Sequence, residues 1–229
     1  MSGAVDRVRS DGQRLPEALL DDAAIACTPT VGRAPPGGAV FLDKDGTLVD
    51  DVPHNVDPAL LSLTRHAAAG LSRLAEAGWP IVLVTNQPGI ATGRFSRADF
   101  ARLEQALRAL VRDEAGVELA GVYCCPHAPD ASGRPDCLCR KPAPGMLRQA
   151  ALRHGLVLER CWLIGDILDD VEAGHRAGCR SVLLDVGNET EWHLSALRQP
   201  DARSPDLLDA ARVILTAGHA RRDASWRAS

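Results

Sequence analysis

The sequence is short of lysine and of aromatic residues. Among its 26 lysines and arginines only Lys44 and Lys141 are lysines, and aromatic residues make up 3% of the 229 positions. A site for single-stranded nucleic acid combines a basic groove with aromatic side chains on which the bases stack. With a net charge of −4 and so few aromatic residues, the chain lacks the basic aromatic surface that such a ligand requires. We therefore expect no nucleic-acid partner.

Long apolar runs are also missing. No run reaches the roughly 20 residues that a membrane-spanning helix needs, and residues 1–10 lack the apolar core of a signal peptide. The seven cysteines are odd in number, and four of them crowd around one histidine. Such a set is typical of metal binding in a reducing compartment rather than of a disulfide framework. We expect a cytoplasmic protein without a membrane partner.

From residue 38 onward, apolar segments of strand length alternate with segments of helical periodicity. The pattern predicts strands at 39–43, 80–85, 118–124, 161–165 and 180–185, and helices at 66–77, 97–113, 144–154, 170–177 and 205–217. Strands separated by helices are typical of a parallel sheet that is covered on both faces. The predicted fold class is therefore α/β, a Rossmann-like, doubly wound parallel sheet.

The chain is long enough for one domain of ordinary size with extensions at its ends. A cluster of proline and glycine at residues 33–38 predicts a boundary at the start of the first strand. We predict an N-terminal extension over residues 1–37 with a short helix at 15–26, a domain over 38–218 and a C-terminal tail over 219–229.

Two carboxylates follow the first predicted strand. Asp43 and Asp45 are two residues apart, so both point to the same side of an extended segment. Carboxylates just past the carboxyl end of a strand lie in the crevice where open α/β sheets bind ligands. One of the pair could attack phosphorus or hold a metal while the other handles a proton. An ordinary Asp-Gly turn and a glycosyltransferase-like, metal-binding Asp-x-Asp remain alternatives.

Polar residues also follow two further strands. Thr85 and Asn86 precede a glycine-rich loop whose main-chain N–H groups can surround an anion, although an ordinary loop is the better explanation of this stretch taken alone. Asp166 and Asp170 are four residues apart, so they share a face if the helix has begun at that point. Together with Asp43 they form the oxygen-only ligand set that Mg²⁺ prefers, while the capping of a helix by aspartate is the alternative.

A cysteine-rich loop lies between the third and fourth strands. Its three thiols and one imidazole match a closed tetrahedral zinc site without a free position, which is typical of structural zinc. Cys124 competes with Cys125, but only Cys125 has the Cys-x-His spacing that mirrors the later Cys-x-Cys. Zinc would stiffen the loop that presents Arg140 and Lys141. The predicted ligands are Cys125, His127, Cys137 and Cys139.

Four stretches together resemble the motifs of the haloacid dehalogenase (HAD) superfamily. The resemblance is closest to its zinc-containing D-glycero-D-manno-heptose-1,7-bisphosphate phosphatases, with histidinol-phosphate phosphatases as near relatives, and it covers residues 38–218. Residues 52–58 are also similar to the loop after the first motif of the heptose enzymes. One departure is Ile167, where many relatives carry Lys or Arg. The four stretches are residues 41–49, 84–93, 125–142 and 164–174.

The resemblance implies a Mg²⁺-dependent phosphatase with a minimal cap and a structural Zn²⁺. By this analogy Asp43 attacks phosphorus to form an aspartyl-phosphate, and Asp45 donates a proton to the leaving group. The implied Mg²⁺ ligands are Asp43, the carbonyl of Asp45 and Asp166, with Asp170 behind them. Thr85, the main chain at Asn86 and Lys141 hold the phosphoryl oxygens, and Arg140 reaches a second phosphate or a sugar hydroxyl.

The implied substrate is a small sugar phosphate. The first expectation is removal of the 7-phosphate of D-glycero-D-manno-heptose 1,7-bisphosphate in the biosynthesis of nucleotide-activated heptose, by a monomeric enzyme. Histidinol-phosphate hydrolysis, or a catalytically weak zinc-stabilised binding module, are the alternatives.

Overall fold

A computed structural model describes residues 33–130, 133 and 136–226, with side chains described up to residue 217. The predicted helix at 15–26 and most of the predicted N-terminal extension lie outside the described residues. At the other end, the last helix continues as far as Trp226, so the backbone of the predicted tail is helical up to that residue.

Six parallel strands form one sheet in the order β3-β2-β1-β4-β5-β6. This arrangement confirms the predicted doubly wound α/β fold, since β1 lies in the middle of the sheet and the later strands are added outward on both sides. The strands are β1 (Val40–Leu42), β2 (Ile81–Asn86), β3 (Gly121–Cys125), β4 (Trp162–Gly165), β5 (Arg180–Leu184) and β6 (Ala202–Ser204).

The described residues contain five α-helices, of which the first four connect consecutive strands and the fifth follows β6. They are α1 (Ala67–Glu76), α2 (Arg97–Ala115), α3 (Gly145–His154), α4 (Leu168–Ala177) and α5 (Leu207–Trp226), and single 3₁₀ turns lie at Pro58–Leu60 and Leu158–Arg160. Among the described residues, none of these helices has both the length and the apolar character needed to cross a bilayer. Residues 43–66, between β1 and α1, hold only isolated bridges and one 3₁₀ turn, so no cap domain is inserted there.

Helices cover both faces of the sheet, so β1 is apolar along its whole length. Val40 and Leu42 belong to a core shared with α1, α2 and α5. Phe41 points the other way, into a second core that contains Met146 and Leu147 of α3. Both faces are therefore fixed by packing, and the register of the central strands is fixed with them.

The register of the central strands positions the polar residues that follow them. Leu42 of β1 lies beside Leu83 of β2 and Ile164 of β4. Asp43 follows Leu42 directly, while Thr85 and Asp166 each come two residues after their paired position. All three side chains are consequently brought to the same carboxyl edge of the sheet.

Candidate active site

The loop after β1 turns sharply at Gly46, which has a φ of +75°. A Cβ atom at this position would lie 2.3 Å from Oδ2 of Asp166, so the close approach to that carboxylate requires glycine. The turn therefore holds the loop that carries Asp43 and Asp45 against the carboxylate delivered by β4.

Three buried carboxylates meet at this edge of the sheet. One oxygen of each of Asp43, Asp166 and Asp170 lies within 4.8 Å of the others. Asp170 is there because α4 begins at Leu168, two residues earlier than predicted, which places Asp170 in the first turn of the helix. Burial together with the charge of Asp43 raises the pKa of Asp166 to about 6. Burial also raises the pKa of Asp170.

Lys141 is the cation at the centre of this group. Its Nζ lies 2.5 Å from Oδ1 of Asp43 and 2.5 Å from Oδ1 of Asp170, and the side chain is almost completely buried. Burial by itself lowers the pKa of Lys141, but the charges of Asp170 and Asp43 outweigh that effect and raise it. One ammonium thus faces three carboxylates, which leaves the group short of positive charge.

Asn86 fixes the main chain of Lys141. Its Oδ1 accepts from the N–H of Lys141 at 3.0 Å, and its Nδ2 donates to the carbonyl of Lys141 at 3.2 Å. The side-chain amide of Asn86 is therefore committed to positioning Lys141. The predicted contact with phosphate is assigned to its main chain.

Asp45 lies beside this group and is held from two sides. Lys44, also buried, forms an ion pair with Oδ1 of Asp45. Nε2 of Gln87 donates to Oδ2 of Asp45 at 3.0 Å and to Oγ1 of Thr85 at 3.0 Å. Burial raises the pKa of Asp45, and the charge of Lys44 opposes this shift.

Several residues that were not predicted from the sequence contact the predicted ones. Gln87 could have been found, because it lies two positions after Thr85 and an extended segment points both side chains to one side. Oδ1 of Asp166 accepts from Oγ1 of Thr47 at 2.9 Å, and its Oδ2 accepts from Nδ2 of Asn188 at 2.8 Å. Asn188 lies in the loop after β5, and no spacing relates it to the four motifs.

The cap of α4 comes from the same loop. Ile167 stands at the N-cap position, where its side chain can accept no hydrogen bond. Oε2 of Glu189 instead accepts from the N–H of Leu168 at 2.6 Å. At the start of α4 this chain therefore has an apolar side chain beside a carboxylate that caps the helix.

The predicted zinc ligands come together in the structure. The Sγ atoms of Cys125, Cys137 and Cys139 lie 3.2–3.7 Å apart, and Nδ1 of His127 lies 3.6 Å from Cys125 and 3.2 Å from Cys139. A zinc tetrahedron with bonds of about 2.3 Å to sulfur has edges of about 3.8 Å, so the four side chains fit this ion. Cys124 is the neighbour of Cys125 on β3, points to the opposite face of the strand and is not part of the group.

The cysteine-rich loop connects directly to the carboxylate group. The N–H of Arg140 donates to Sγ of Cys137 at 3.3 Å, and Lys141 is the next residue. Arg140 is half-buried as a residue, and its guanidinium donates to the carbonyl of His127 at 3.4 Å. Ordering of this loop therefore determines where both cations lie.

Comparison with known proteins agrees with the fold and with the motifs. A family model described as HAD-hydrolase-like matches residues 138–210. The chain is 36% identical over 179 residues to a D-glycero-beta-D-manno-heptose-1,7-bisphosphate 7-phosphatase of Pseudomonas aeruginosa, with 77% of this chain and 97% of the relative covered. It is 34% identical over 154 residues to a D-glycero-alpha-D-manno-heptose-1,7-bisphosphate 7-phosphatase of Photorhabdus laumondii, covering 66% and 84%.

A solved structure of a heptose bisphosphate phosphatase is also similar to this chain. The D,D-heptose 1,7-bisphosphate phosphatase of B. bronchiseptica, determined with magnesium and phosphate, superimposes with a TM-score of 0.64 at 29% sequence identity. The match covers 78% of this chain and 99% of that one.

Proposed function

This chain belongs to the family of HAD phosphatases that comprises the heptose-1,7-bisphosphate 7-phosphatases, and on that premise we propose that it hydrolyses the 7-phosphate of D-glycero-D-manno-heptose 1,7-bisphosphate through an aspartyl-phosphate. The enzyme class is that of the phosphoric monoester hydrolases. The proposal includes a cytoplasmic location, because the thiols of the zinc cluster need a reducing compartment.

The observation that carries the proposal is the contact of one buried lysine with two of three clustered carboxylates. Transfer of a phosphoryl group depends mainly on positioning and on neutralising charge. Lys141 holds Oδ1 of Asp43 at 2.5 Å and is fixed in turn by Asp170 and Asn86. Asp43 is thereby oriented at the sheet edge where the motif residues converge.

In this mechanism an oxygen of Asp43 forms a bond to phosphorus as the bond from phosphorus to the sugar oxygen breaks. Asp45 gives its proton to the departing oxygen and then takes a proton from the water that hydrolyses the aspartyl-phosphate. The hydroxyl of Thr85, the main-chain N–H at Asn86 and the ammonium of Lys141 bind the non-bridging oxygens.

The donor set fits Mg²⁺. Asp43, Asp166 and Asp170 offer only oxygen and are short of positive charge, and the carbonyl of Asp45 completes the proposed set. When bound, Mg²⁺ reduces the repulsion between the carboxylate of Asp43 and the phosphate dianion. An oxygen of Asp170 lies within 4.8 Å of those of Asp43 and Asp166, which is close enough for Asp170 to act as a ligand. Its contact with Lys141 also allows it to act from behind the ligands, by orienting that lysine.

The Cys₃His group is proposed to hold a structural Zn²⁺. All four positions of the tetrahedron are filled by protein atoms, which leaves none for a reactive water. The ion would order the loop that carries Arg140 and Lys141.

For the substrate, the second phosphate of a bisphosphate requires a second cation. Arg140 is one residue from Lys141 and is proposed to bind that phosphate or a sugar hydroxyl through charge-assisted hydrogen bonds. Relatives of similar identity act on the beta and on the alpha anomer, so both anomers are candidate substrates.

The experiment measures Mg²⁺-dependent phosphate release from the two anomers of the heptose bisphosphate, from histidinol phosphate and from p-nitrophenyl phosphate. We expect the highest kcat/KM on one anomer of the bisphosphate. A higher value on histidinol phosphate would overturn the substrate assignment. Absence of turnover on all four compounds would support a binding module instead.

A further inference from the structure

Gln87 is a buried polar side chain that none of the roles proposed above includes. Its amide nitrogen lies 3.0 Å from Oδ2 of Asp45 and 3.0 Å from Oγ1 of Thr85. Its side chain is nearly inaccessible to solvent. We propose that Gln87 is a positioning residue that holds Asp45 in place for proton donation and couples it to the hydroxyl of Thr85.

The contacts use both hydrogens of one amide nitrogen. A side-chain NH₂ group carries two donors, which matches the two acceptors at equal distance. Accepting from Gln87 occupies a lone pair of Thr85 and leaves its hydroxyl hydrogen free to donate to a phosphoryl oxygen. One amide thus fixes both the acid and a phosphate ligand.

Asp45 is held from the opposite side as well. Lys44 contacts Oδ1, while Gln87 contacts Oδ2, so the carboxyl group cannot rotate without losing a contact. The side chain of Asp45 retains 29% of its accessibility, and each oxygen keeps a second position for a proton. The partly exposed carboxyl group can therefore still give a proton to a leaving oxygen while both contacts are kept.

The backbone of Gln87 is hydrogen-bonded to the end of β3 and to its own loop. Its N–H donates to the carbonyl of Cys125 at 2.8 Å, and its carbonyl accepts from the N–H of Ile90 at 3.3 Å. Because both backbone groups are hydrogen-bonded, the backbone of Gln87 is held in place, and this positions its side-chain amide to contact Asp45.

This inference rests on the proposed function, since it assigns the proton donor to Asp45. During phosphoryl transfer the proton moves from the carboxylic acid of Asp45 to the leaving oxygen, while Asp43 forms its bond to phosphorus. A well-stabilised phenolate leaves without that proton, but a less stabilised one needs it. A misplaced acid therefore slows reactions with poor leaving groups more than reactions with good ones.

The test compares phenyl phosphate, a poor leaving group, with p-nitrophenyl phosphate, a good one. The variants are Gln87→Met, which keeps the length without the donor, and Gln87→Glu, which replaces the donor with an acceptor. Gln105→Met on the exposed face of α2 is the matched control. Because kcat/KM reports only steps up to phosphoryl transfer, hydrolysis of the intermediate does not enter the comparison.

We expect both Gln87 variants to lose about tenfold more kcat/KM on phenyl phosphate than on p-nitrophenyl phosphate, since positioned proton transfer contributes about 10²–10⁴-fold. The control should keep the wild-type ratio. Equal losses on both substrates would overturn the proposal and assign Gln87 to phosphate binding through Thr85 or to packing. Unchanged kinetics would overturn it as well.

Failure of the substrate assignment gives a different result. If the wild type does not hydrolyse the heptose bisphosphate, the proposed function is wrong, while the two aryl phosphates still report on Gln87. Two variants of different chemistry keep the test decisive if one of them unfolds.

Discussion

At the scale of single residues, Lys141 supplies the positive charge that offsets the clustered carboxylates of the site. It contacts Asp43 and Asp170, and the sequence keeps only two lysines among 26 basic residues, both of them in the site. A compact ammonium can approach two carboxylates from one point, whereas a planar guanidinium needs room for its fork. The retention of lysine here is explained by this geometry.

The first prediction is that Lys141→Met lowers the free energy of unfolding by about 3–5 kcal/mol in buffer without Mg²⁺, because removing one partner leaves buried charges unpaired. Added Mg²⁺ should recover part of the loss by neutralising the same carboxylates. Urea unfolding with and without Mg²⁺ measures both effects. Arg102→Met, on the exposed surface of α2, is the control. A loss below about 1 kcal/mol, the typical effect of an average substitution, would contradict this account.

Arg140 gives the second prediction. If it binds the second phosphate, Arg140→Ala removes a charge-assisted hydrogen bond of roughly 1.5–3 kcal/mol. The kcat/KM for the heptose bisphosphate should then fall about tenfold to a hundredfold, and that for p-nitrophenyl phosphate much less. Steady-state kinetics on both substrates test this, with Arg153→Ala on exposed α3 as the control. Equal losses would assign Arg140 to the transferred phosphoryl group or to the loop.

At the scale of elements, much of the sheet could be predicted from sequence. Long apolar strands such as β1, β2 and β4 are recognisable because both faces of a parallel sheet are buried. The β6 strand was missed, because Ala-Arg-Ser has no apolar pattern and becomes a strand only by pairing with β5. Residues 202–204 therefore form a strand because of their pairing with β5 in the folded chain, not because of their local sequence.

The candidate site likewise contains residues that could be predicted from the sequence and residues that could not. The grouping of three cysteines and one histidine was predictable because tetrahedral coordination of the proposed zinc would impose a spacing on the sequence. Asn188 and Glu189 were not, since a loop after β5 reaches Asp166 and Leu168 only in the folded chain. Spacing predicts contacts along the chain but not contacts between loops.

The cysteine-rich loop carries the third prediction. Protein purified without chelator should contain one Zn²⁺ per chain, and the double variant Cys137→Ser/Cys139→Ser should lose both the zinc and thermal stability, because metal binding is coupled to folding of the loop. Elemental analysis and a thermal melt measure these quantities. Cys124→Ser, outside the cluster, should keep its zinc. Full activity in zinc-free protein would refute the structural role.

At the scale of the whole molecule, a polar cluster joins β5 and α4 to the segment that leads into β6. Oδ2 of Asp201 accepts from the N–H of Ser181 at 2.8 Å and lies 2.9 Å from Nε2 of His175. Although burial raises it, the pKa of Asp201 is lowered overall by the hydrogen bonds from His175 and Ser181. The ionised carboxylate is therefore the form that the fold prefers.

The fourth prediction follows from this lowering of the pKa of Asp201. A lowered pKa in the folded state contributes stability above the unfolded value of about 3.9, and this contribution is lost as the pH falls through the folded value. Asp201→Asn should therefore lower the melting temperature at pH 7, and its difference from the wild type should shrink below pH 4. Asp113→Asn on exposed α2 is the control. A difference that is constant from pH 7 to pH 3 would show that the charge of Asp201 is not involved.

The central claim is that Asp43 is the group that takes the phosphoryl group from the heptose bisphosphate. The most direct measurement quenches turnover with acid, reduces acyl phosphates with borohydride and locates the resulting homoserine by peptide mass spectrometry. With p-nitrophenyl phosphate, whose leaving group does not need a proton, Asp45→Asn still forms the intermediate but lacks the base for its hydrolysis, so the trapped fraction should increase, and Asp43→Asn should show none. The account predicts homoserine at position 43. Modification at another aspartate, or turnover by Asp43→Asn with deamidation ruled out, would contradict it.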